Sequence, residues 1–332
     1  MATAAQRRRL AVPRQVAFWL LAFVFTLTMV GTTLPTPLYV IYRARWHFSS
    51  GIVTVIFAVY AAGVLAALLL AGRSSDEAGR KPVLATALGS SALSTVVFIL
   101  APKVGVLFVG RILSGLSAGL VTGTATATLT ELIPVLASRR ASLVATAANT
   151  GGLALGPLIA GLFAQYAPNP TVLVFEVYLA ALAVAGLCLF LVPETVSPRR
   201  RPTVGSAGLA TPERGRGEFV AAGVAGFAAF SLLGLFSALT PTLLQGLLHV
   251  RSHTIEGAVV FLIFGVATVT QLLLSRFGSR QVVMAGRGLF LAALALIVAA
   301  LSQAGIALFL AGTVVGGIAV GAVFLGSLAT AQ

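Results

Sequence analysis

Ten long apolar stretches, separated by short polar breaks, run the length of this chain and leave few folds open to it. Crossing a ~30 Å hydrocarbon core as α-helix takes about 20 consecutive apolar residues. Stretches of that size occur at roughly 16–38, 50–71, 83–101, 104–127, 141–166, 171–193, 218–241, 255–275, 282–301 and 305–328. Only 9% of the residues are charged, against about 25% in an ordinary soluble domain. That is too little polar surface to hold a chain of 332 residues in solution. In lipid, only helices and closed barrels satisfy their own backbone groups, and the alternating strands of a membrane barrel are absent. The expectation is an all-α membrane protein with ten transmembrane helices.

The first stretch follows Arg7, Arg8 and Arg9 and has the flank of a signal peptide. Nine further spans favour a retained first helix over a cleaved leader. The single cysteine, Cys188, falls inside the sixth span and has no partner for an intramolecular disulfide.

The net charge of +14 is not spread as in a nucleic-acid-binding surface. With the N-terminus in the cytoplasm, Arg7, Arg8, Arg9, Arg14, Arg73, Arg80, Lys81, Arg139, Arg140, Arg199, Arg200, Arg201, Arg214, Arg216, Arg276 and Arg280 all lie inside. Only Arg43, Arg45, Lys103 and Arg251 lie outside. This asymmetry is the positive-inside bias that orients membrane proteins, and the inner charges also suit anionic lipid headgroups. The partners expected are membrane lipid and a small-molecule substrate, not nucleic acid. The expected location is a bacterial inner membrane.

Residues 196–217 carry Ser, Pro, Gly and five arginines with few large apolar residues, as a flexible linker does. The arginines serve either as a topology anchor or as a lipid-binding patch. They divide the chain into an N-terminal six-helix bundle at 1–195 and a C-terminal bundle of four helices at 218–332. The halves echo one another. Leu34, Pro35, Thr36, Pro37 and Leu38 end the first span; Leu239, Thr240, Pro241, Thr242 and Leu243 end the seventh. Gly79, Lys81 and Val83 find counterparts in Gly278, Arg280 and Val282. The fourth span carries Gly115, Gly119 and Gly123; the tenth carries Gly312, Gly316, Gly317 and Gly321. Two parallel copies of a six-helix unit are an architecture of secondary transporters. Against a complete second copy the chain is two helices short, as expected of a product truncated after its tenth helix, of a fragment or of a departure from that plan.

The most polar interval between two spans runs from Gly72 to Pro82 and contains the only aspartate, Asp76. This interval resembles the signature loop of the major facilitator superfamily, Gly-x-Leu-Ala-Asp-Arg-x-Gly-Arg-Lys-x-x-Leu. Gly72, Asp76, Gly79, Arg80, Lys81 and Leu84 match, while Ser74, Ser75 and Glu77 depart from it. The glycines allow a tight turn, Asp76 can accept hydrogen bonds at a helix N-terminus, and Arg80 and Lys81 hold the turn on the cytoplasmic side. The resemblance implies a gating role, in which the loop latches the two halves and its aspartate meets an eleventh helix.

Two further spans support it. In the fourth, Arg111, Gly115, Gly119, Gly123, Ala127 and Glu131 follow at four-residue spacing and form one close-approach stripe. Arg111 inside a span costs about 2.5–3.5 kcal/mol to insert, which makes it a candidate for proton or substrate coupling; the plain alternative is an anchor that snorkels outward. In the fifth span, Gly152, Gly156, Pro157 and Gly161 are similar to the core of the antiporter motif of proton-coupled drug exporters, with Ala160 replacing a glycine and Leu143 an upstream one. Ala148, Gly152, Gly156 and Ala160 make a groove for a neighbouring helix, and Pro157 weakens the backbone there. Simple helix packing is the alternative reading. Pro193, Glu194 and Thr195 close the sixth span, as in many members of the family.

Glu176 is a second coupling candidate, either titrating and pairing with Arg111 or simply wetted at the outer surface. The family plan places the first, fourth, seventh and tenth helices around a central cavity, which adds Thr32, Thr33, Thr36 and Gln245 as lining candidates. Tyr39, Tyr42 and Trp46 read as an interfacial aromatic belt. His249 and His253 have metal-ligand spacing but read as exposed loop residues, with Glu256 the one further ligand nearby. No metal and no cofactor is expected. An enzyme is excluded by the absence of a His-Glu-x-x-His motif, a phosphate-binding loop or a close cluster of acids with histidines.

The resemblance implies a two-bundle helical transporter of the major-facilitator type, whose family plan has twelve helices. It would export small amphipathic or drug-like molecules by alternating access, driven by protons. The alternatives are a proton-coupled transporter of sugars or other solutes, and a truncated, non-transporting membrane remnant.

Overall fold

A computed structural model describes residues 12–71, 74–196, 216–246, 248–275, 279–303 and 305–330. Gly72 of the signature loop, and the linker from 197 to 215, lie outside the described residues. In chain order the helices are α1 (Arg14–Thr33), α2 (Leu38–Trp46), α3 (Ser50–Ala71), α4 (Ser74–Ala78), α5 (Arg80–Ile99), α6 (Val104–Leu132), α7 (Ser138–Tyr166), α8 (Pro170–Leu191), α9 (Arg216–Gly246), α10 (His253–Leu274), α11 (Ser279–Gln303) and α12 (Ile306–Thr330). A single 3₁₀ turn, Val135–Ala137, precedes α7.

Among the described residues, nine helices are long and apolar enough to cross a membrane, where ten spans were expected. The expected seventh span corresponds to α9, a continuous helix of 31 residues, of which Phe227–Ala238 is the described apolar part. Phe190, Phe227, Leu273 and Leu291 are each at least 65% exposed. Large apolar side chains on the outside are at home in hydrocarbon, where water no longer penalises them. The chain is a multi-pass helical membrane protein.

The first span departs from a straight helix. Pro35 and Pro37 lack the N–H groups that would continue the ladder, and α1 stops at Thr33. A turn held by Thr36 N–H to Thr33 O (3.0 Å) and Leu38 N–H to Pro35 O (3.1 Å) leads into α2. Tyr39 and Tyr42 on α2 are buried, and Tyr42 stacks on Trp46 at 4.9 Å between ring centroids. Tyr39 and Tyr42 are therefore packed inside the protein, which corrects the aromatic-belt reading for these two, while Trp46 stays half-buried.

The chain divides into two compact units, one formed by Met1–Thr32, Val55–Gly152 and Thr171–Gly208, the other by Thr33–Thr54, Leu153–Pro170 and Leu209–Gln332. This division follows packing rather than chain order, since α1, α3 and α7 each contribute to both. Within the first unit, glycines bring α6 against α3. A Cβ at Gly115 would meet the Tyr60 carbonyl oxygen, and one at Gly119 would lie 2.7 Å from that of Val64. Gly123 faces open space, so the close approach of the glycines ends at Gly119, short of the stripe its spacing predicts. Ser94 and Ser117 tie α5 to α6 through hydrogen bonds of 2.7 Å to the Gly110 and Ala87 carbonyls. Tyr178 of α8 donates to Leu27 O of α1 at 3.1 Å.

The second unit repeats the device. A Cβ at Gly317 or Gly321 of α12 would come within 2.8 and 2.6 Å of the Ile263 and Ala267 carbonyls of α10. The eighth and tenth spans thus pack as the second and fourth do, by paired glycines at four-residue spacing.

Candidate functional site

The polar interval folds into a compact charged cluster within the first unit. Arg80 reaches Asp76 at 2.7 Å across one turn and Glu131, at the end of α6, also at 2.7 Å. It further donates to Ser75 Oγ at 2.6 Å. Thr195 donates its hydroxyl to Glu131 from the segment after α8. One guanidinium therefore joins α4, α5 and α6, using the planar fork that suits Arg better than Lys to several acceptors.

The start of α5 explains the rest of the motif. Its first N–H groups have no helical partner, and Glu194 supplies one from outside, accepting from the backbone of Arg80 at 2.8 Å and Lys81 at 3.0 Å. A carboxylate here also meets the positive end of the helix dipole. Lys81 returns the connection by donating to the Phe190 and Val192 carbonyls at 2.6 and 3.1 Å. Gly79 is required twice over. Its φ of 100° and ψ of 155° lie in a region essentially reserved for glycine, and a Cβ would stand 2.8 Å from Glu194 Oε2. Asp76 is on α4 rather than capping a long helix, and its side chain is 60% exposed.

Arg111 occupies the same unit, and its residue is fully buried. Its head group donates to the Thr32 carbonyl at the end of α1 and lies 4.7 and 5.0 Å from the ring centroids of Phe57 and Tyr60 on α3. A desolvated guanidinium over aromatic faces is a cation–π arrangement. It is held among α1, α3 and α6 and does not snorkel to the surface. Glu176 instead lies on an exposed face of α8.

The glycine–proline motif spans both units, and each part has its own neighbour. In the first unit, a Cβ at Gly152 would come within 2.6 Å of the Thr26 carbonyl and 2.7 Å of Met29 Cβ on α1. In the second, Gly161 packs on α10: a Cβ there would stand 2.6 Å from His253 O and 3.1 Å from Gly257 Cα. A Cβ on Gly257 would in turn run into the Pro157 carbonyl. Gly156 and Pro157 are buried between these positions.

Pro157 has a specific chemical consequence. Without an N–H it leaves the Leu153 carbonyl, four residues earlier, without its helical donor. Thr33 donates its hydroxyl to that carbonyl at 2.9 Å. Two residues singled out for separate reasons, one as cavity-lining and one as an antiporter feature, form a single hydrogen-bonded unit. Thr32 and Thr36 are also buried, and Thr32 turns its hydroxyl back to Met29 O at 2.7 Å.

Gln245 leads to a group that its sequence context had hidden. Its Nε2 donates to Glu256 Oε1 at 2.6 Å, and Glu256, in the first turn of α10, has no exposed surface. The other carboxylate oxygen is 3.1 Å from His253 Nδ1. His249 is exposed, as expected, while His253 is drawn into this cluster. Among the described residues, no group of three or more metal-ligating side chains is present. The clue available beforehand was the i, i+3 spacing of His253 and Glu256 at the head of an apolar span.

Comparisons with known proteins agree with this architecture. The sequence profile of the Major Facilitator Superfamily matches residues 21–332. A triacylglyceride transporter of Mycolicibacterium hassiacum is 32% identical over 173 residues, 48% of this chain and 30% of the relative. The multidrug resistance protein MdtL of Escherichia coli is 40% identical over 65 residues, 20% of this chain and 17% of MdtL. The matches thus span less than a third of either relative's length. Among solved structures, the human organic anion transporter MFSD10 (TETRAN) superposes with a TM-score of 0.64 at 20% identity, covering 96% of this chain and 92% of that one. A bacterial homologue of the human lysosomal transporter Spinster, inward-facing and occupied, gives 0.72 at 19% identity, over 95% and 73% of the two chains. A D-xylose–proton symporter gives 0.69 at 19% identity, over 92% and 79%. Likeness at such identities establishes the fold.

Proposed function

This chain belongs to the major facilitator superfamily and is a transporter rather than an enzyme, and we propose that it exports small amphipathic or drug-like molecules in exchange for protons. The observation that carries the reading is the α7 motif. Gly152, Gly156, Pro157 and Gly161 follow the spacing of the antiporter motif, and the helix bearing them packs by those glycines on both α1 and α10. The freed Leu153 carbonyl, capped by Thr33, is the kind of local weakness at which a membrane helix bends. The relatives named for multidrug resistance and for triacylglyceride transport support a cargo that is apolar or amphipathic.

In this reading transport proceeds by alternating access in a bacterial inner membrane. The N-terminus and the Asp76–Arg80–Glu131 cluster face the cytoplasm, an orientation supported by the positive-inside distribution of Lys and Arg. The cluster holds α4, α5 and α6 as one body when the substrate site changes sides. Arg111 supplies a fixed buried charge next to α1. The fold alone does not choose the cargo.

The test is efflux of a panel of cationic and neutral dyes from cells expressing the chain, with and without a protonophore. Efflux above the empty vector that collapses with the protonophore supports proton-driven export. Efflux that persists unchanged rejects proton coupling. Absence of dye movement, together with protonophore-sensitive sugar accumulation, replaces this reading with solute uptake.

A further inference from the structure

We propose that Glu256 is the proton-carrying group of this transporter, held between Gln245 of α9 and His253 of α10 and reached from water through the partly exposed histidine ring. The inference rests on the proton-coupled reading above and gives it a specific atom. An ionised carboxylate taken out of water is costly unless it is paired and hydrogen-bonded, and an ionisable side chain inside a membrane helix is a functional candidate by default. Glu256 has no exposed surface. Its Oε1 accepts from Gln245 Nε2 at 2.6 Å and its Oε2 lies 3.1 Å from His253 Nδ1. The histidine side chain is 26% exposed, so it touches both the buried carboxylate and the surroundings.

From α9 the facing polar group is Gln245, and that helix has no ionisable residue after Glu218. From α7 come Gln165 and Tyr166, the latter exposed at 77%. The tenth-span helix α12, packed along α10, has no ionisable residue. Arg251, on the loop before α10, is exposed. Among the described residues the ion-pair partner of Glu256 is His253. One proton added to the carboxylate cancels that pair, while the Gln245 amide still has a carbonyl oxygen to bond.

The same histidine is part of the α7–α10 seam. Its backbone N–H donates to Gln165 Oε1 at 3.0 Å, and its carbonyl faces Gly161 at a spacing that admits no side chain. Ser252, the N-cap of α10, accepts from Ile255 N–H and contacts the same glutamine. Protonation of Glu256 therefore releases His253 at the point where the glycine–proline helix meets α10. Charge at one carboxylate and separation of two helices become linked equilibria.

Two measurements on the purified full chain in lipid test the idea. In the wild type, dicyclohexylcarbodiimide, an apolar reagent for protonated carboxyls, is applied across a pH series and the adducts are located by peptide mass spectrometry. The expected result is an adduct on Glu256 that declines as pH rises. No adduct there at any pH, or one indifferent to pH, overturns the proposal, and this readout needs neither transport nor a variant. In proteoliposomes, Glu256→Gln is expected to lose proton-driven net transport to the level of empty liposomes, with any remaining exchange no longer varying with pH. His253→Gln, which still offers a hydrogen-bond donor, is expected to shift the pH profile while keeping the coupling. Wild-type transport that ignores a protonophore rejects the proton-coupled reading itself. Wild-type transport that is sensitive, with Glu256→Gln equally sensitive, rejects this inference alone.

Discussion

At Gly79 one missing side chain decides whether the signature loop closes. Its backbone angles belong to a region that costs other residues about 1–3 kcal/mol, and Glu194 occupies the space a Cβ needs. Gly79→Ala is expected to destabilise the protein by about that amount, read as a lowered Tm in detergent. An unchanged Tm would show that the turn relaxes around the methyl group. Arg111 makes a second residue-scale prediction: Arg111→Ala removes the buried charge beside Phe57 and Tyr60 and is expected to abolish proton-coupled flux. Retained flux with the wild-type pH dependence would return the arginine to a packing role. Gly79, Arg80 and Arg111 stood out in the sequence because glycine turns and intramembrane charges are rare enough to signal themselves. Glu256 did not, because an acid at the head of an apolar span reads as interfacial. Only the packing of Gln245 and His253 around it makes it a buried group.

Among the elements, α7 is the one whose local chemistry most depends on a neighbour. Thr33→Val removes the donor that meets the Leu153 carbonyl. Hydrogen bonds between membrane helices average about 0.6 kcal/mol and reach about 1.7, so a loss of about 1 kcal/mol is expected in denaturant unfolding. Pro157→Ala restores the helical N–H to the same carbonyl. The double variant is then expected to lose less than the sum of the two single effects, the signature of coupled sites. Strict additivity would show that the hydroxyl and the proline act independently. At the other end of the motif, Gly161→Val forces a side chain against the His253 carbonyl. Overpacking costs about 1–3 kcal/mol, and dye efflux is expected to fall with it. The glycine spacing on α6, α7 and α12 was readable in advance because close approach demands small residues at regular intervals. The hydrogen bond from Thr33 to Leu153, 120 residues apart, was not, since nothing local to either residue points to the other.

For the molecule as a whole, hydropathy and the repeat were legible because lipid imposes length and periodicity on every span. The glycine-paired packing of α6 on α3 recurs in α12 on α10, which ties the echo in sequence to an echo in structure. What chain order did not convey is that compact packing draws Thr33–Thr54 and Leu153–Pro170 together with Leu209–Gln332. Local composition marks a polar linker clearly, but it carries no information about which parts of a long helix find which neighbours. The functional account makes one claim at this scale: movement of cargo in one direction is tied to movement of protons in the other. Its most direct test uses proteoliposomes containing the full chain and a pH-sensitive dye in the lumen, with no initial pH difference and the membrane potential clamped. Adding a transported compound on one side is expected to drive protons in the opposite direction, above the signal from empty liposomes. Transport of the compound with no accompanying proton movement, or with protons moving in the same direction, would contradict proton-exchange export.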